Sequence, residues 1–412
     1  MEQYAVAIIG AGPAGLFCAI QAATLDFPVL LLEKNPHPGA KLRITGSGQC
    51  NITHGGEVTD FFCHYGGHGN FLKPAFLAFT NADMIQFFVE RRCRMETDEN
   101  GKVFPCTRRS ADILEILLRE CHKKAVTVRC GAAVETVTSD PAGFLITTHH
   151  HRYRVARLVI ATGGASYPAT GSSGDGYGFA AQFGHTIVPV GPALTPVIIA
   201  KHPFFDLSGI SFTGMRFSVW RNGRKEFDQT GDVLITHEGL SGPGILDCSR
   251  ALLPGDQIHL SFLSGTMTQE IFARDLSMRV QANSKKLVKS ILLQYDIPER
   301  LVENLLLNAG VPDGLTCAHL PAPLRSRLIT SITDFPLTIS ALGNYSVAMV
   351  TRGGVSLREV NPKTMESRLV PNLYFTGEVL DIDGDTGGYN LQAAFSTGRC
   401  AGEHIRKQSC MR

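Results

Sequence analysis

Residues 4–33 read YAVAIIGAGPAGLFCAIQAATLDFPVLLLE, and this stretch decides the fold. An apolar run from Ala5 to Ile9 turns through Gly10, Gly12 and Gly15 into a helical periodicity carried by Leu16, Ile20 and Ala23. A second apolar run, Pro28 to Leu32, ends on Glu33. Strand, glycine turn, helix, strand and acid make the dinucleotide-binding fingerprint, in the context that separates it from a chance GxGxxG. Gly10 permits the tight exit from the strand, and Gly12 keeps no side chain between a pyrophosphate and the backbone. Gly15 lets the helix lie close to the sheet. The helix starts at Pro13 and Ala14, and the free N–H groups of its first turn and its positive dipole end face the phosphates. Glu33 follows Gly12 by 21 residues, where a carboxylate accepts hydrogen bonds from a ribose diol.

Immediately after Glu33 comes KNPHPGAKLRITGSGQCNITHGG, a glycine-rich loop carrying Lys34, Lys41 and Arg43. Lys41 and Arg43 suit a diphosphate. Gly46, Ser47 and Gly48, followed by Cys50 and Asn51, bring bare backbone and small polar groups to a flat ligand. Residues 74–92 and 110–124 read as amphipathic helices, the second capped by Ser110. From Ala125 the pattern alternates through AVTVRC, AAVETVTS, GFLITTHH and YRVARLVIATGG, which predicts a small meander rising from a parallel sheet. Its last strand ends at Ala161, Thr162, Gly163 and Gly164, small residues at the edge where open α/β sheets bind ligands. The run His149–His150–His151 has no carboxylate or cysteine at ligand spacing and reads as a solvated hairpin, so no metal site is expected.

From Ile187 to Phe262 the composition is β-rich again, with Asn222–Gly223 as a two-residue hairpin turn. Residues 266–332 become helical, broken near Pro298, Gly310–Gly314 and Pro321–Pro323. The last seventy residues return to strand, acidic glycine loop and helix: LYFTGEVLDIDGDTGGYNLQAAFSTGR, with Leu391, Ala394, Phe395, Gly398, Ala401 and Ile405 on the apolar face. The expected fold class is therefore α/β, a Rossmann-type dinucleotide domain split between the chain ends, with a β-barrel and a nested helical domain inserted. The expected boundaries are 1–190 and 346–412 for the nucleotide domain, 191–265 and 323–345 for the β-rich domain, and 266–322 for the helices.

A chain of 412 residues that is 44% hydrophobic and 18% charged, with a formal charge of +2, describes an ordinary globular protein. No single-sign field points to nucleic acid or an anionic membrane, so neither is expected as a partner. The apolar stretch Ala5–Ala23 has no basic residues ahead of it and is broken by three glycines and a proline, which argues against a signal peptide or membrane span. The tail RKQSCMR is too short for an amphipathic anchor. The eleven cysteines are scattered, without a CxxC pair, as in a reducing cytoplasm.

The remaining question is which dinucleotide binds. One fingerprint only is present, because the clusters GGASYPATGSSGDGYG, EGLSGPG and TRGGV lack the spacing or the following strand and acid. A flavoenzyme of the disulfide-reductase kind would carry a second fingerprint and a redox cysteine pair. A single N-terminal fingerprint, an ATGG strand end, a large insertion and a C-terminal strand–loop–helix suit FAD held by both chain ends.

The blocks KLRITGSGQCNITH, THEGLSGPGILDCS and TRGGVSLREVNPKTMESRLVPNLYFTGEVLDIDGDTGGYNLQAAFSTGR, with the N-terminal fingerprint, resemble the BaiN/YhiN-like flavoproteins over the whole chain. That family includes bile-acid 3-dehydro-Δ4,6-reductases and an aminoacetone oxidase. The resemblance implies FAD bound without covalent attachment. Gly10 to Gly15 and Glu33 would hold the pyrophosphate and adenosine ribose, and Lys41 with the Ser47–Asn51 loop would lie along the flavin. Val134 would meet the adenine through its backbone, and Ala161 to Gly163 would flank the diphosphate. Gly377 and Glu378 would approach the pyrophosphate and ribityl chain, with Gly388, Asn390 and Leu391 under the isoalloxazine. The family loop commonly reads SGGGRCN, whereas this chain has TGSGQCN, so Gln49 removes a charge near the cofactor. The expected reaction is hydride transfer through flavin N5, with NAD(P)H as transient reductant and a small organic molecule with a conjugated C=C as acceptor. An oxidase of an amine or amino-ketone and a non-catalytic flavin sensor are the alternatives. Cys50, Tyr167, His237, Glu238 and Tyr389 lie in the motifs, and none is assigned as catalytic.

Overall fold

A computed structural model describes residues 1–24, 26–263, 265 and 267–409; the end of the tail, 410–412, lies outside them. The chain forms two compact units, Met1–Ala193 with Tyr345–Arg412, and Leu194–Asn344.

The first unit opens with β1 (Glu2–Ile9), α1 (Pro13–Ala22), β2 (Val29–Leu32) and the short α2 (Ala40–Ile44). β3 (Thr53–His54), α3 (Gly69–Ala78), α4 (Asn81–Val89), β4 (Met95–Thr97), β5 (Lys102–Pro105) and α5 (Ser110–Lys123) follow. Where a single helix was expected over 74–92 there are two. Thr80 stops the first, because its hydroxyl accepts from the Asp83 N–H while the Asp83 carboxylate accepts from the Thr80 N–H, a reciprocal cap that starts α4. Ser110 does not cap α5. It is the first helical residue, and its hydroxyl donates to the Arg43 carbonyl at 2.7 Å, tying the helix to the end of α2.

β6 (Thr127–Arg129), β7 (Val134–Asp140), β8 (Gly143–Thr148) and β9 (Arg152–Ile160) come next. β7, β8 and β9 form the antiparallel meander, but β6 does not join it; it pairs parallel to β2 at the sheet edge. The turn at His149–His150 is exposed. α6 (Asp175–Gln182) and β10 (Ile187–Ala193) close this segment.

The second unit holds β11 (Val197–Ile199), β12 (Ser211–Arg221), β13 (Arg224–Ile235), β14 (Gly239–Ser241), α7 (Pro243–Cys248) and β15 (Gln257–Ser261). α8 (Gln269–Ala282), α9 (Val288–Leu292), α10 (Glu299–Ala309), α11 (Ala322–Thr333) and β16 (Phe335–Leu342) complete it. Its strands close into a barrel in the order β11-β14-β13-β12-β15-β16. Asn222 and Gly223, at φ 52° and 75°, turn β12 into β13 with the twist that a two-residue hairpin requires. The helical run extends to Thr333, so one strand, β16, supplies the return to the barrel.

The chain then re-enters the first unit through β17 (Val350–Val355), which pairs with β10, and ends in β18 (Leu373–Phe375) and α12 (Tyr389–Ser409). β18 adds to the parallel sheet beside β9, so both chain ends build one Rossmann-type sheet. β2 and β18 are buried at every residue, as parallel strands covered on both faces should be. α12 crosses α1 closely. A methyl group on Gly398 would lie 2.5 Å from the Ala14 carbonyl oxygen, and one on Gly402 would lie 2.6 Å from that of Cys18. No helix of the described residues is long and apolar enough to cross a membrane.

Candidate functional site

Strand register creates the site. Ile9 lies beside Leu32 and Ile160, and Ile160 lies beside Phe375, so four parallel strands end in one row. The residues that follow each strand, Gly10, Glu33, Ala161 and Thr376, share the carboxyl edge of the sheet, where ligands of such sheets bind.

The three fingerprint glycines do different work. Gly10 has φ 105°, and a methyl group there would meet the Ala161 carbonyl oxygen at 2.4 Å. At Gly15 the methyl would sit 1.9 Å from the Gly10 carbonyl oxygen. At Gly12 it meets no protein atom within 4 Å, so packing within the protein gives no reason for glycine at that position. α1 starts at Pro13 with no side-chain cap on its first N–H groups. Glu33 is buried, and its two carboxylate oxygens accept from the Ala11 N–H at 3.0 Å and the Asn35 N–H at 2.9 Å. The acid thus fixes the turn between β1 and α1. Its carbonyl accepts from Ala132 N–H, which brings the start of β7 at Val134 to this end of the row.

Two of the three cations are already partnered. Lys41 Nζ lies 2.8 Å from Glu378 Oε2 and 2.6 Å from Ser166 Oγ, with both members of the ion pair about one-fifth exposed. Glu378 Oε1 also accepts from the Thr351 N–H and the Ser166 hydroxyl. Lys34 pairs with Asp175 at 2.6 Å and donates to Ser173. Arg43 is exposed. Gly377, at φ 74°, faces Ala14, and its N–H donates to Thr397 Oγ1 at 3.0 Å. Beside it the Thr376 hydroxyl is buried without a hydrogen-bond partner.

The loop from Thr45 to Asn51 is wound through left-handed backbone at Gly46, Ser47, Gly48 and Cys50. Cys50 is fully buried, and burial pushes its thiol up to about 12, so at neutral pH it is a protonated packing group and no redox nucleophile. Asn51 Oδ1 is buried and lacks a hydrogen-bond partner. Two residues on, Thr53 Oγ1 donates to Gln392 Oε1 at 2.6 Å, and a methyl on Gly388 would lie 2.5 Å from the Thr53 backbone. The loop and the start of α12 therefore touch. Asn390 spends its side chain on the acidic loop, accepting from Gly384 N–H and donating to the Gly384 and Asp385 carbonyls. Leu391 is half-buried.

Two histidines that sequence reasoning passed over complete this corner. The Tyr389 ring stacks on His64 at 4.0 Å and on His54 at 5.2 Å, each within 15° of parallel. His64 Nδ1 lies 2.9 Å from Asp385 Oδ2. The signal available was the histidine spacing in NITH and FFCHYGGH ahead of an acidic DIDGD loop. Of the other candidates, Tyr167 is held in left-handed backbone with its N–H on the Tyr345 carbonyl, and His237 and Glu238 are exposed residues of the second unit. Among the described residues no group of three or more His, Cys, Asp or Glu is arranged to hold a metal.

An adenine dinucleotide suits this donor set. The open approach at Gly12, the uncapped start of α1 and the two buried, unpartnered oxygens of Asn51 and Thr376 are features that folding alone does not account for.

Comparison with known proteins gives the family. The model described as HI0933-like protein Rossmann domain matches residues 4–404. The chain is 33% identical over 410 residues to the ribosomal RNA dihydrouridine synthase of Escherichia coli K12, covering 99% of this chain and 100% of that one. It is 31% identical over 408 residues to the 3-dehydro-bile acid delta(4,6)-reductase of Clostridium scindens, covering 96% and 98%. A solved 3-ketosteroid delta1-dehydrogenase from Sterolibacterium denitrificans shares the fold, with a TM-score of 0.50 at 11% identity over 99% of this chain and 100% of that one. One of these relatives is named for ribosomal RNA, so the expectation that nucleic acid is no partner is not confirmed. Matched almost end to end, with the fingerprint and C-terminal blocks in order, the chain belongs to the HI0933-like family, the BaiN/YhiN-like flavoproteins, and is a flavin-dependent oxidoreductase.

Proposed function

We propose that the chain binds FAD along the carboxyl edge of its parallel sheet and uses reducing equivalents from NAD(P)H to hydrogenate a ring C=C conjugated to a carbonyl. The observation that carries this is the level row of four strand ends, with Gly12 left open toward it. In this reading Gly10, Gly12, Pro13, Ala14 and Gly15 hold the pyrophosphate, and Glu33 and Val134 hold the adenosine. Ala161, Thr162, Gly163, Gly377 and Glu378 flank the diphosphate and ribityl chain. Lys41, Ser47, Gly48, Cys50, Asn51, Gly388, Asn390 and Leu391 surround the flavin, and Lys34 braces the loop through Asp175. Bound FAD supplies the hydride chemistry. The protein's part is to exclude water from the buried end of the row and to present Asn51 Oδ1 and Thr376 Oγ1 as neutral hydrogen-bond partners. It also places titratable groups at the start of α12. Hydrogenation needs a proton with each hydride, and His54, Tyr389 and the His64–Asp385 pair are the groups gathered there to hold one.

The names of the two relatives describe one chemistry, reduction of a ring C=C in uridine and in a steroid. We take uridine in RNA as the first acceptor, after the relative named for it, which matches 99% of this chain at 33% identity. Anaerobic mixing of the yellow holoprotein with NADH or NADPH should bleach the flavin. An RNA fragment should then gain two hydrogens at uridine by mass spectrometry, in preference to a 3-oxo steroid with conjugated C=C bonds. Absence of bleaching by either nucleotide at millimolar concentration would refute the reductase reading, and steroid reduction without uridine reduction would replace the acceptor.

A further inference from the structure

We propose that a cavity of about 750 Å³ in the first unit, formed by the turn after α4, the end of β5 and one side of α5, binds the phosphates of an RNA strand. It shares no residue with the cofactor row. Five cations line it: Arg91, Arg92 and Arg94 from the turn, and Arg119 and Lys123 from α5. Three acids, Glu90, Asp112 and Glu115, line it too. Cations therefore prevail there by two, although the chain as a whole is close to neutral.

The pairing is uneven, and this gives the cavity its character. Arg91 and Lys123 share the Glu120 carboxylate at 3.1 and 2.7 Å, and Arg91 also lies 3.7 Å over the Phe87 ring. Asp112 faces Arg109 at 3.7 Å, and Glu90 faces Arg91 at 3.6 Å. Arg119 donates to the Arg91 carbonyl. Arg92 and Arg94 have no ion pair and no side-chain hydrogen bond among the described residues, and both are exposed. Two guanidinium groups without partners, at positions 92 and 94, keep their hydrogen-bond donors available to an anion.

Their backbone is held firmly. Arg91 and Cys93 N–H both bond the Phe88 carbonyl, Arg92 N–H bonds that of Val89, and Cys106 N–H bonds that of Arg94. Arg92 itself sits at φ 66°, a conformation glycine adopts far more easily. A rigid turn thus presents two planar forks whose geometry matches phosphate oxygens. The volume exceeds what a single phosphate needs and falls in the range of sites for larger ligands. The exposed rim at Arg92, Arg94, Arg119 and Lys123 leaves room for a chain to enter and leave.

This inference rests on the reading that RNA is the acceptor, and the test separates the two. Binding of a labelled, uridine-containing single-stranded RNA to the holoprotein is measured across a salt series. The variants are Arg92→Glu/Arg94→Glu and a charge-matched control, Arg152→Glu/Arg224→Glu, at exposed positions elsewhere. Flavin content and melting temperature serve as checks on folding. The cavity variant should bind at least about 10-fold more weakly than the control, and its salt slope should fall by about 1.4, about 0.7 for each phosphate no longer neutralised. Equal weakening in both variants, or no RNA binding by the unmodified protein, overturns the cavity. A selective rise in the KM for NADPH, with RNA affinity intact, overturns it in favour of the nucleotide's phosphate. RNA bound through the cavity but left unreduced defeats the acceptor reading and leaves the cavity standing. Uridine reduced with unchanged KM in the cavity variant does the reverse.

Discussion

The cofactor row and the arginine cavity belong to the same unit and treat charge in opposite ways. In the row the charged groups that are not exposed have protein partners, Glu33 on two backbone N–H groups, Lys41 on Glu378 and Lys34 on Asp175, and only the exposed Arg43 has none among the described residues. Away from that arginine, what the row leaves unpartnered is neutral, the Asn51 and Thr376 oxygens and the bare backbone at Gly12. In the cavity three guanidinium groups, Arg92, Arg94 and Arg119, have no acidic partner among the described residues, and Arg119 alone of them has a hydrogen bond, to a carbonyl. Solvent explains the contrast. An unpaired charge buried in the row would cost far more than an unpaired amide oxygen, whereas at the exposed rim water screens it. On the two proposals, a cofactor that stays is gripped by shape and neutral hydrogen bonds, and an RNA strand that comes and goes is met by charge.

The largest effect that tests this contrast lies within the fingerprint. Gly15→Ala puts a methyl 1.9 Å from the Gly10 carbonyl oxygen, and backbone must move to admit it. The expected outcome is a protein that loses flavin and about 3 kcal/mol or more of stability. Gly12→Ala meets no atom within 4 Å, at φ −82° where alanine is at ease. It should melt within a few degrees of the unmodified protein, yet purify with little flavin. Equal loss of stability in both, read from melting curves, would show that Gly12 too serves packing alone. Full flavin content in Gly12→Ala would remove it from the site.

Much of this architecture was legible because parallel strands and glycine turns are local. Gly10, Gly15 and Glu33 are dictated by a thirty-residue stretch, and the ATGG strand end and LYFTG segment announce themselves by composition. What pairs across the chain was not legible. Nothing near Lys41 in sequence points to Glu378, the carboxylate that takes up its charge. The helix break at Thr80 needed the reciprocal Asp83 bond, which a hydrophobic period passes through unbroken. His54 and His64 become neighbours only when Tyr389 arrives between them from the far end of the chain. The cavity was hidden for a different reason. Net charge averages over the surface, and ERRCR falls at the end of the helix expected over 74–92, where nothing in the sequence tells which of its arginines lack acids.

A double-mutant cycle on Lys41→Met and Glu378→Gln sharpens the claim that the row keeps no free charge away from solvent. The pair is partly buried, so each single variant strands a charge or a donor, while the double variant removes both. Denaturant unfolding should give a coupling of about 1–2 kcal/mol. A coupling near zero would mean that Lys41 is free to turn to a diphosphate, and the contrast with the cavity would weaken.

The smallest effect concerns Glu120, the acid that holds Arg91 and Lys123 out of the cavity's surplus. Burial alone would raise its carboxyl, but Lys123 and Arg91 together outweigh that and hold it below the ordinary glutamate value. A carboxyl depressed in the folded state binds its proton more readily when unfolded. Its contribution to stability is therefore complete above about pH 4.5, the usual value for a free glutamate, and is lost as the pH falls through the folded-state value. Glu120→Gln should lower the melting temperature at neutral and alkaline pH and converge on the unmodified protein as the pH falls through the folded-state value, so the acid side of the profile flattens. The same substitution frees two cations to join Arg92 and Arg94, so RNA should bind about 2- to 3-fold more tightly at low salt, a gain that vanishes as screening rises. Weaker binding instead would mean that Arg91 works only when Glu120 aims it, which would make the acid part of the phosphate site rather than a restraint on it.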